Sequence, residues 1–447
     1  MRSITQSWLF GLTLAALCAA ALAGCASWPD TYEARTCRQM VPALNPSGST
    51  IEVLGTRLLR DGRVGIVYAA RGPNTKPAPR TIVCAFSRDE TSPGDRLVSV
   101  WSDGKPLGDI RLTLLKRFWL KTQDAAVADP EPFMRVGSVP ELPRWLAYAL
   151  QHLLSALPLI SIYALLAAAY ALVYGLVGRI NLAFGEFAAI GGYGALLAFA
   201  ITGTSAPWWM ALTACFVVGM WSAGMHGLIA SRLVFSPLRN ASGQHLLIAT
   251  IGLAIFLQEY LRLTQGTALR WIEPILNQPV GVARSASFIV MVTPMAVLVT
   301  CIAVVAASGL LLMMRWTRFG RYWRACADDS GAAMLAGVDP SRILLTSIVL
   351  ATALAGVAGT ISTVFYGGLG YAGGIVLGLK ALIAAIAGGI GSVPGALVGG
   401  ILIGSFETLW SALFPIEYRD LAVYGALVAL LIWRPQGVLG DRYPAAR

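Results

Sequence analysis

Nine apolar stretches follow one another between residues 147 and 433, and no other feature limits so strongly what this chain can fold into. They cover residues 147–176, 186–202, 207–231, 245–265, 287–314, 341–365, 377–391, 395–411 and 419–433. At about 1.5 Å of rise per helical residue, most are long enough to cross about 30 Å of hydrocarbon. Inside lipid the chain must satisfy its own backbone polar groups, so such stretches become helices. Those at 377–391 and 395–411 are short and separated by Gly391-Ser392-Val393-Pro394-Gly395; they form either two crossings or one re-entrant hairpin. The expected class is an all-α polytopic membrane protein with eight or nine transmembrane segments, joined to a small N-terminal β-rich exported domain. Composition agrees, because 13% charged residues among 447 are too few to keep a soluble surface wet.

The formal net charge of +11 raises nucleic acid as a partner. Residues 26–144 hold 17 Lys/Arg against 13 Asp/Glu, and the rest of the excess lies between apolar stretches. No basic run interleaved with aromatics occurs, so no nucleic acid is expected. The short loops set the orientation. With residue 144 outside the cytoplasm, the inside segments collect eleven arginines: Arg179, Arg232, Arg239, Arg315, Arg318, Arg321, Arg324, Arg342, Arg434, Arg442 and Arg447. The outside loops collect four, Arg262, Arg270, Arg284 and Arg419, as the positive-inside rule requires. Residues 441–447 then form a cytoplasmic tail.

Residues 1–24 carry Arg2, an apolar run from Trp8 to Ala23 and then Leu22-Ala23-Gly24-Cys25. That pattern resembles a bacterial lipoprotein signal whose Cys25 becomes acylated; the alternative is an uncleaved anchor helix. Both readings export residues 25–144. There, Ile51–Leu54 and Val64–Tyr68 flank Asp61-Gly62, and Leu97–Trp101 and Leu107–Ile110 flank Asp103-Gly104, which predicts two hairpins. A further strand is expected near Thr81–Phe86. In an oxidising compartment Cys37 and Cys84 form either a disulfide or two buried thiols.

Three segments of the membrane domain carry more than lipid-spanning sequence. The first runs from Tyr170 to Glu186, where Gly175, Gly178 and Gly185 permit a broken helix lining a pathway or gate. Tyr163, Tyr170 and Tyr174 share one helix face, for packing or for substrate contact. Glu186 needs a partner or water at membrane depth; it serves the pathway or pairs with Arg179. The second, Arg318 to Pro340, predicts a short amphipathic cytoplasmic helix suited to docking a partner, closed by Gly337 and followed by the Asp339-Pro340 helix start. The third, Gly367 to Gly404, is a close-packing tract, with Lys380 and Glu407 snorkelling from near its outer ends. No His/Cys spacing suits a metal and no cofactor is expected. The chain lacks a G-x-x-x-x-G-K-[ST] loop, so ATP used with it is hydrolysed elsewhere.

Residues 147–440 resemble the LivH-type permease of branched-chain amino acid ABC importers. The resemblance rests on Val173–Glu186, Ile248–Gln258, Gly320–Gly337 and Ala387–Ala396, met in the family's order. It implies a permease domain at 145–440 in the bacterial inner membrane, without an ATPase site of its own. It also implies a LivM-like second permease, two cytoplasmic ABC ATPases and a periplasmic substrate-binding protein. Taken with the segment readings above, the pathway or gate is expected at Tyr170, Tyr174, Arg179, Asn181, Glu186 and Thr250, and the ATPase-coupling loop at Arg321, Arg324, Ala325, Asp328 and Gly337. The chain departs from the family at Phe184, where histidine is usual, and at Arg179, where an apolar residue is usual. Related permeases take urea or short amides, and a membrane-anchored receptor or assembly protein built on a permease scaffold is the reading from another class.

Overall fold

The computed structural model describes residues 32–46, 49–58, 63–71, 78–87, 97–120, 125, 130, 140–202, 207–238, 241–272, 275–277, 279–285, 289–389 and 391–439. The signal region with Cys25, the Asp61-Gly62 turn, Arg239 and the tail at 441–447 lie outside the described residues. The chain divides into two compact units, Met1–Leu142 with Gln278–Met291, and Pro143–Asn277 with Val292–Arg447.

The first unit opens with helix α1 (Tyr32–Ala43) and continues as an antiparallel meander, β1 (Thr50–Leu58), β2 (Arg63–Arg71), β3 (Ala78–Phe86), β4 (Leu97–Ser102) and β5 (Lys105–Pro106). Alternation along β2 buries Val64, Ile66 and Tyr68 on one face, where they join Met40 and Val41 of α1, Ile82 of β3 and Val100 of β4. A disulfide joins Cys37 to Cys84, with Cα atoms 5.9 Å apart and a sequence separation of 47. Closing a loop of that length removes on the order of 4 kcal/mol of chain entropy from the unfolded state. Asp103 (φ +50°) and Gly104 (φ +77°) turn the chain between β4 and β5. The strand expected at Leu107–Ile110 is a correction: β5 stops at Pro106, and helix α2 (Asp109–Leu114) follows, running on as a π turn over Leu115–Trp119. Pro106 has no N–H to extend a ladder, Asp109 favours a helix N-terminus, and Leu112 supplies the apolar face.

The second unit is helical. In chain order come α3 (Arg144–Val177), α4 (Phe184–Thr202), α5 (Trp208–Ala230, then a π turn over Ser231–Phe235) and α6 (Gly243–Gln265). The short strand β6 (Arg270–Trp271) follows; β7 (Val280–Arg284) and β8 (Ile289–Val292), which pair with each other and lie almost wholly in the Gln278–Met291 stretch of the first unit, come before α7 (Pro294–Trp316). Then follow α8 (Arg318–Asp328), α9 (Ser330–Leu335), α10 (Pro340–Tyr366), β9 (Gly368–Leu369), α11 (Gly373–Gly388), α12 (Val393–Leu413) and α13 (Arg419–Trp433). Seven helices among the described residues are long and apolar enough to cross a membrane: α3, α4, α5 with its extension, α6, α7, α10 and α12. Helix α11 is apolar but only 16 residues long. The span expected from residue 287 starts instead at Pro294, because Ile289–Val292 pair with β7 and Thr293 caps the helix through Oγ1.

Helix α3 is the axis of this unit, with every residue from Ser161 to Val173 buried. Around it the helices approach to backbone contact where side chains are absent. A Cβ on Gly359 of α10 would lie 1.8 Å from the Ala188 carbonyl oxygen of α4, and one on Gly399 of α12 would lie 2.0 Å from the Ala384 carbonyl oxygen of α11. Small residues give lipid-embedded helices the dispersion contact that water expulsion gives soluble ones.

Candidate functional site

Helix α3 ends where Gly178 takes a left-handed φ of +65° and returns its N–H to the Tyr174 carbonyl at 2.7 Å. The chain is then non-helical until α4 begins at Phe184, and its freed backbone groups are met by side chains. The Asn181 N–H donates to the Tyr170 hydroxyl (2.9 Å), and the Ala183 N–H donates to Asn181 Oδ1 (3.0 Å). The Leu182 N–H donates to Thr250 Oγ1 (3.4 Å), while that hydroxyl donates to the Leu247 carbonyl (2.9 Å). Tyr170 stacks on Tyr174, with ring centroids 6.5 Å apart, and meets the edge of Phe184 at 5.3 Å. Tyr170, Asn181 and Thr250 are thus brought together, all buried, on three separate elements. Three successive freed N–H groups of the break, at residues 181 to 183, thus find side-chain acceptors, the kind of compensation a break inside a membrane needs.

Arg179 and Glu186 are not brought together. Arg179 donates from Nη1 to the Ala241 carbonyl. Glu186 is fully buried, and neither carboxylate oxygen has a hydrogen-bond partner among the described residues. The carboxylate faces the first turn of α11, where a Cβ on Gly374 would lie 2.5 Å from Oε2. Next to it, a Cβ on Gly185 would lie 2.0 Å from the Gly374 carbonyl oxygen and 2.5 Å from the Gly378 Cα. Glu186 also belongs to the first turn of α4. Its carboxyl group therefore sits at the N-terminal ends of two helices, where the peptide dipoles favour any negative charge it carries. Gly374 was not foreseen as part of the site; its only sequence signal was its place in the glycine tract.

The segment expected to hold one amphipathic helix holds two, α8 and α9. Asp329 breaks it by accepting at Oδ1 from the Gly331 and Ala332 N–H groups, an N-cap for α9. Gly337 has the left-handed φ of +84°, and Asp339 caps α10 by accepting from the Ser341 N–H. Arg321, Arg324, Ala325 and Asp328 are exposed on α8, and Arg324 also donates to the Met314 carbonyl. Met334 and Leu335 project from α9 at 53% and 94% exposure. The opposite face of α8 is anchored by Trp323, which sequence reasoning passed over. Its indole N–H donates to the Leu172 carbonyl of α3 at 3.0 Å, and its ring occupies the space a Cβ on Gly175 would take, 2.5 Å from Cζ2. Helix α8 is thereby keyed into α3 one turn before the break at Gly178.

Lys380 and Glu407 do not snorkel. They are paired at 2.7 Å, with side-chain exposures of 4% and 2%. Lys380 also reaches Asp420 at 3.1 Å, Arg419 reaches Glu407 at 3.2 Å, and Nζ lies 5.7 Å from the Tyr163 ring centre. Snorkelling needs a path to water along the side chain, and here α12 and the start of α13 bring counter-charges to the ammonium instead. Tyr163, on the same helix as Tyr170 and Tyr174, borders this cluster.

Residues 152–432 match the family described as branched-chain amino acid transport system / permease component. The chain is 36% identical over 296 residues to the permease protein LivH of the Escherichia coli high-affinity branched-chain amino acid transport system, covering 66% of this chain and 96% of that protein. Against the Pseudomonas aeruginosa permease protein BraD, identity is 34% over 295 residues, 65% of this chain and 95% of the relative. The Escherichia coli permease protein LivM matches at 27% over 308 residues, 62% of this chain and 68% of that protein. With the match running from within α3 almost to the end of α13, the chain belongs to the family of branched-chain amino acid transport permease components.

Proposed function

We propose that this chain is a permease subunit of an ABC importer that moves branched-chain or other hydrophobic amino acids across the bacterial inner membrane. The observation that carries the proposal is the family match, which takes in nearly the whole helical unit and all but 4% of the LivH protein. In this reading it works beside a LivM-like second permease, two cytoplasmic ABC ATPases and a periplasmic substrate-binding protein, and contributes no ATPase site itself. Residues 1–24 serve as a lipoprotein-like export signal, Cys25 is the site of lipid attachment, residues 25–144 form the exported domain, and 145–440 form the permease domain ahead of the 441–447 tail.

The geometry supports a division of labour within the permease domain. The exposed side of α8 and α9, with Arg321, Arg324, Ala325, Asp328, Met334 and Leu335, is the ATPase-docking surface, closed off by Gly337. Trp323 transmits movement of that surface to α3 at Leu172 and Gly175. Tyr170, Tyr174, Asn181 and Thr250 hold the broken segment that follows, with Glu186 at its far end, as the gate.

The test is uptake of radiolabelled leucine, isoleucine and valine in cells lacking their own branched-chain uptake, with the chain expressed beside its partner subunits. Uptake that depends on this chain supports the proposal; accumulation of urea or acetamide instead would move the substrate class, and no uptake of either would overturn it. Ala325→Asp, with insertion retained, is expected to uncouple ATP hydrolysis from uptake.

A further inference from the structure

The helical turns after β5 have two apolar faces. On one, Leu112 is buried, Leu115 and Leu120 pack against the core of the first unit, and Trp119 donates its indole N–H to the Gln39 carbonyl at 2.8 Å. On the other, Ile110, Leu114 and Phe118 stand 81%, 52% and 66% exposed. Residues four apart share a helix face, so these three form one row. A lone exposed apolar residue is ordinary, but a row of three on a helix already anchored by its opposite side marks an interaction surface.

Charge indicates what covers the row. Arg111 follows its first member and Arg117 precedes its last, so the two lie on opposite flanks; both are exposed. The only acidic residue of the element is Asp109, at its beginning. An apolar row edged by guanidinium groups suits the boundary between acyl chains and phosphate headgroups, where the row enters hydrocarbon and the flanking cations meet phosphates. A second copy of the chain would bring the same positive flanks against each other. The chain from Leu120 to the first residue of α3 reaches at most about 85 Å when fully extended. The row is thus held at high local concentration near the bilayer that α3 enters.

We propose that Ile110, Leu114 and Phe118 seat the first unit on the surface of an anionic phospholipid bilayer, with Arg111 and Arg117 on lipid phosphates. This attachment is independent of any acyl chain at Cys25 and of what the permease domain transports. It holds the small unit flat against the membrane instead of leaving it on a free tether.

The test uses the full chain carrying Leu114→p-benzoylphenylalanine in nanodiscs of phosphatidylethanolamine and phosphatidylglycerol. After irradiation, mass spectrometry of the proteolysed protein is expected to show a phospholipid adduct on the 112–116 peptide. Reversing the flanks with Arg111→Glu and Arg117→Glu should cut adduct yield by roughly fivefold or more, given the contribution of each basic residue near an anionic surface. The intact Cys37–Cys84 linkage in the same digest reports that the unit is folded, and Phe118→p-benzoylphenylalanine repeats the measurement should the first variant lose that linkage. An adduct to a second copy, to a soluble protein or to another part of the chain overturns the proposal. So does the absence of a lipid adduct at both positions with the disulfide intact, or a yield indifferent to the arginine reversals.

Discussion

Two carboxylates are buried in the same helical unit, and they are treated in opposite ways. Glu407 is surrounded by Lys380, Arg419 and the ring of Tyr163, a cluster assembled from α3, α11, α12 and α13. Glu186 has no cation and no hydrogen-bond donor among the described residues, only the N-terminal turns of α4 and α11. A paired charge of the first kind locks helices together, since the desolvation cost of each ion is offset only while the other is present. A charge held by helix dipoles alone is stabilised more weakly and leaves its oxygens uncommitted. The first arrangement suits a fixed joint and the second a movable part, which is consistent with the proposal of a gate at the broken segment ending in Glu186 and not at the Lys380 cluster.

The largest effect is expected from breaking the joint. Lys380→Met leaves Glu407 in the bundle with its nearest cation gone, and removing one partner of a buried pair costs about 3–5 kcal/mol. The variant should lose membrane abundance and melt well below the native protein in detergent. Adding Glu407→Leu should recover most of the loss, because it removes the buried carboxylate left with only the half-exposed Arg419, which keeps Asp420. A single variant as stable as the native chain would mean that the two carboxylates do not differ in the way described.

Next in size is Gly374→Ala. The added methyl would lie 2.5 Å from Glu186 Oε2, so the carboxylate or α11 must shift, and overpacking of this kind costs about 1–3 kcal/mol. Combining it with Glu186→Ala opens that space, and the detergent melting midpoint should return towards the native value. Midpoints that fall further in the double variant would show that the clash is not with Glu186. Smaller still in stability is Glu186→Gln, which keeps the size and removes the charge. Uptake is expected to fall several-fold while abundance and melting hold; full uptake would remove the charge from the gate.

How much of this was readable in the sequence depends on how far apart the interacting residues lie. Local chemistry was legible: Asp103-Gly104 turns the chain, Asp339-Pro340 starts α10, and Gly178 and Gly337 take positive φ, because each depends only on a residue's own backbone freedom or on its neighbours. Asp329-Ser330-Gly331 carried the same kind of signal for the break between α8 and α9, but the apolar pattern across it read as one helix. Leu107–Ile110 was too short for alternation to be told from a helix start, and Pro106 decided the matter. The pairing of Lys380 with Glu407 has a sequence separation of 27, and Glu186 meets Gly374 across a far longer one. No periodicity or motif encodes contacts at those separations; they follow from which helices pack on α3. Trp323 stood in plain view in an amphipathic helix, yet its role is set by the missing side chain at Gly175.

The smallest effect is the coupling between Arg179 and Glu186, and it tests the comparison most finely. Opposite charges seven positions apart in sequence invite an ion pair, yet Arg179 donates to the Ala241 carbonyl and Glu186 turns to α11. Arg179→Gln removes that donor from a half-exposed side chain, at a cost of about 0.5–1.5 kcal/mol for a typical hydrogen bond. Residues that share no partner contribute additively to within about 0.5 kcal/mol. In the double-mutant cycle of Arg179→Gln and Glu186→Gln, the two changes should therefore multiply in uptake and add in melting. Uptake restored in the double variant would mean that the pair forms in another state of the transport cycle. Glu186 would then be a paired charge like Glu407, exchanging its partner as the gate moves, and the contrast between the two carboxylates would be one of timing instead of chemistry.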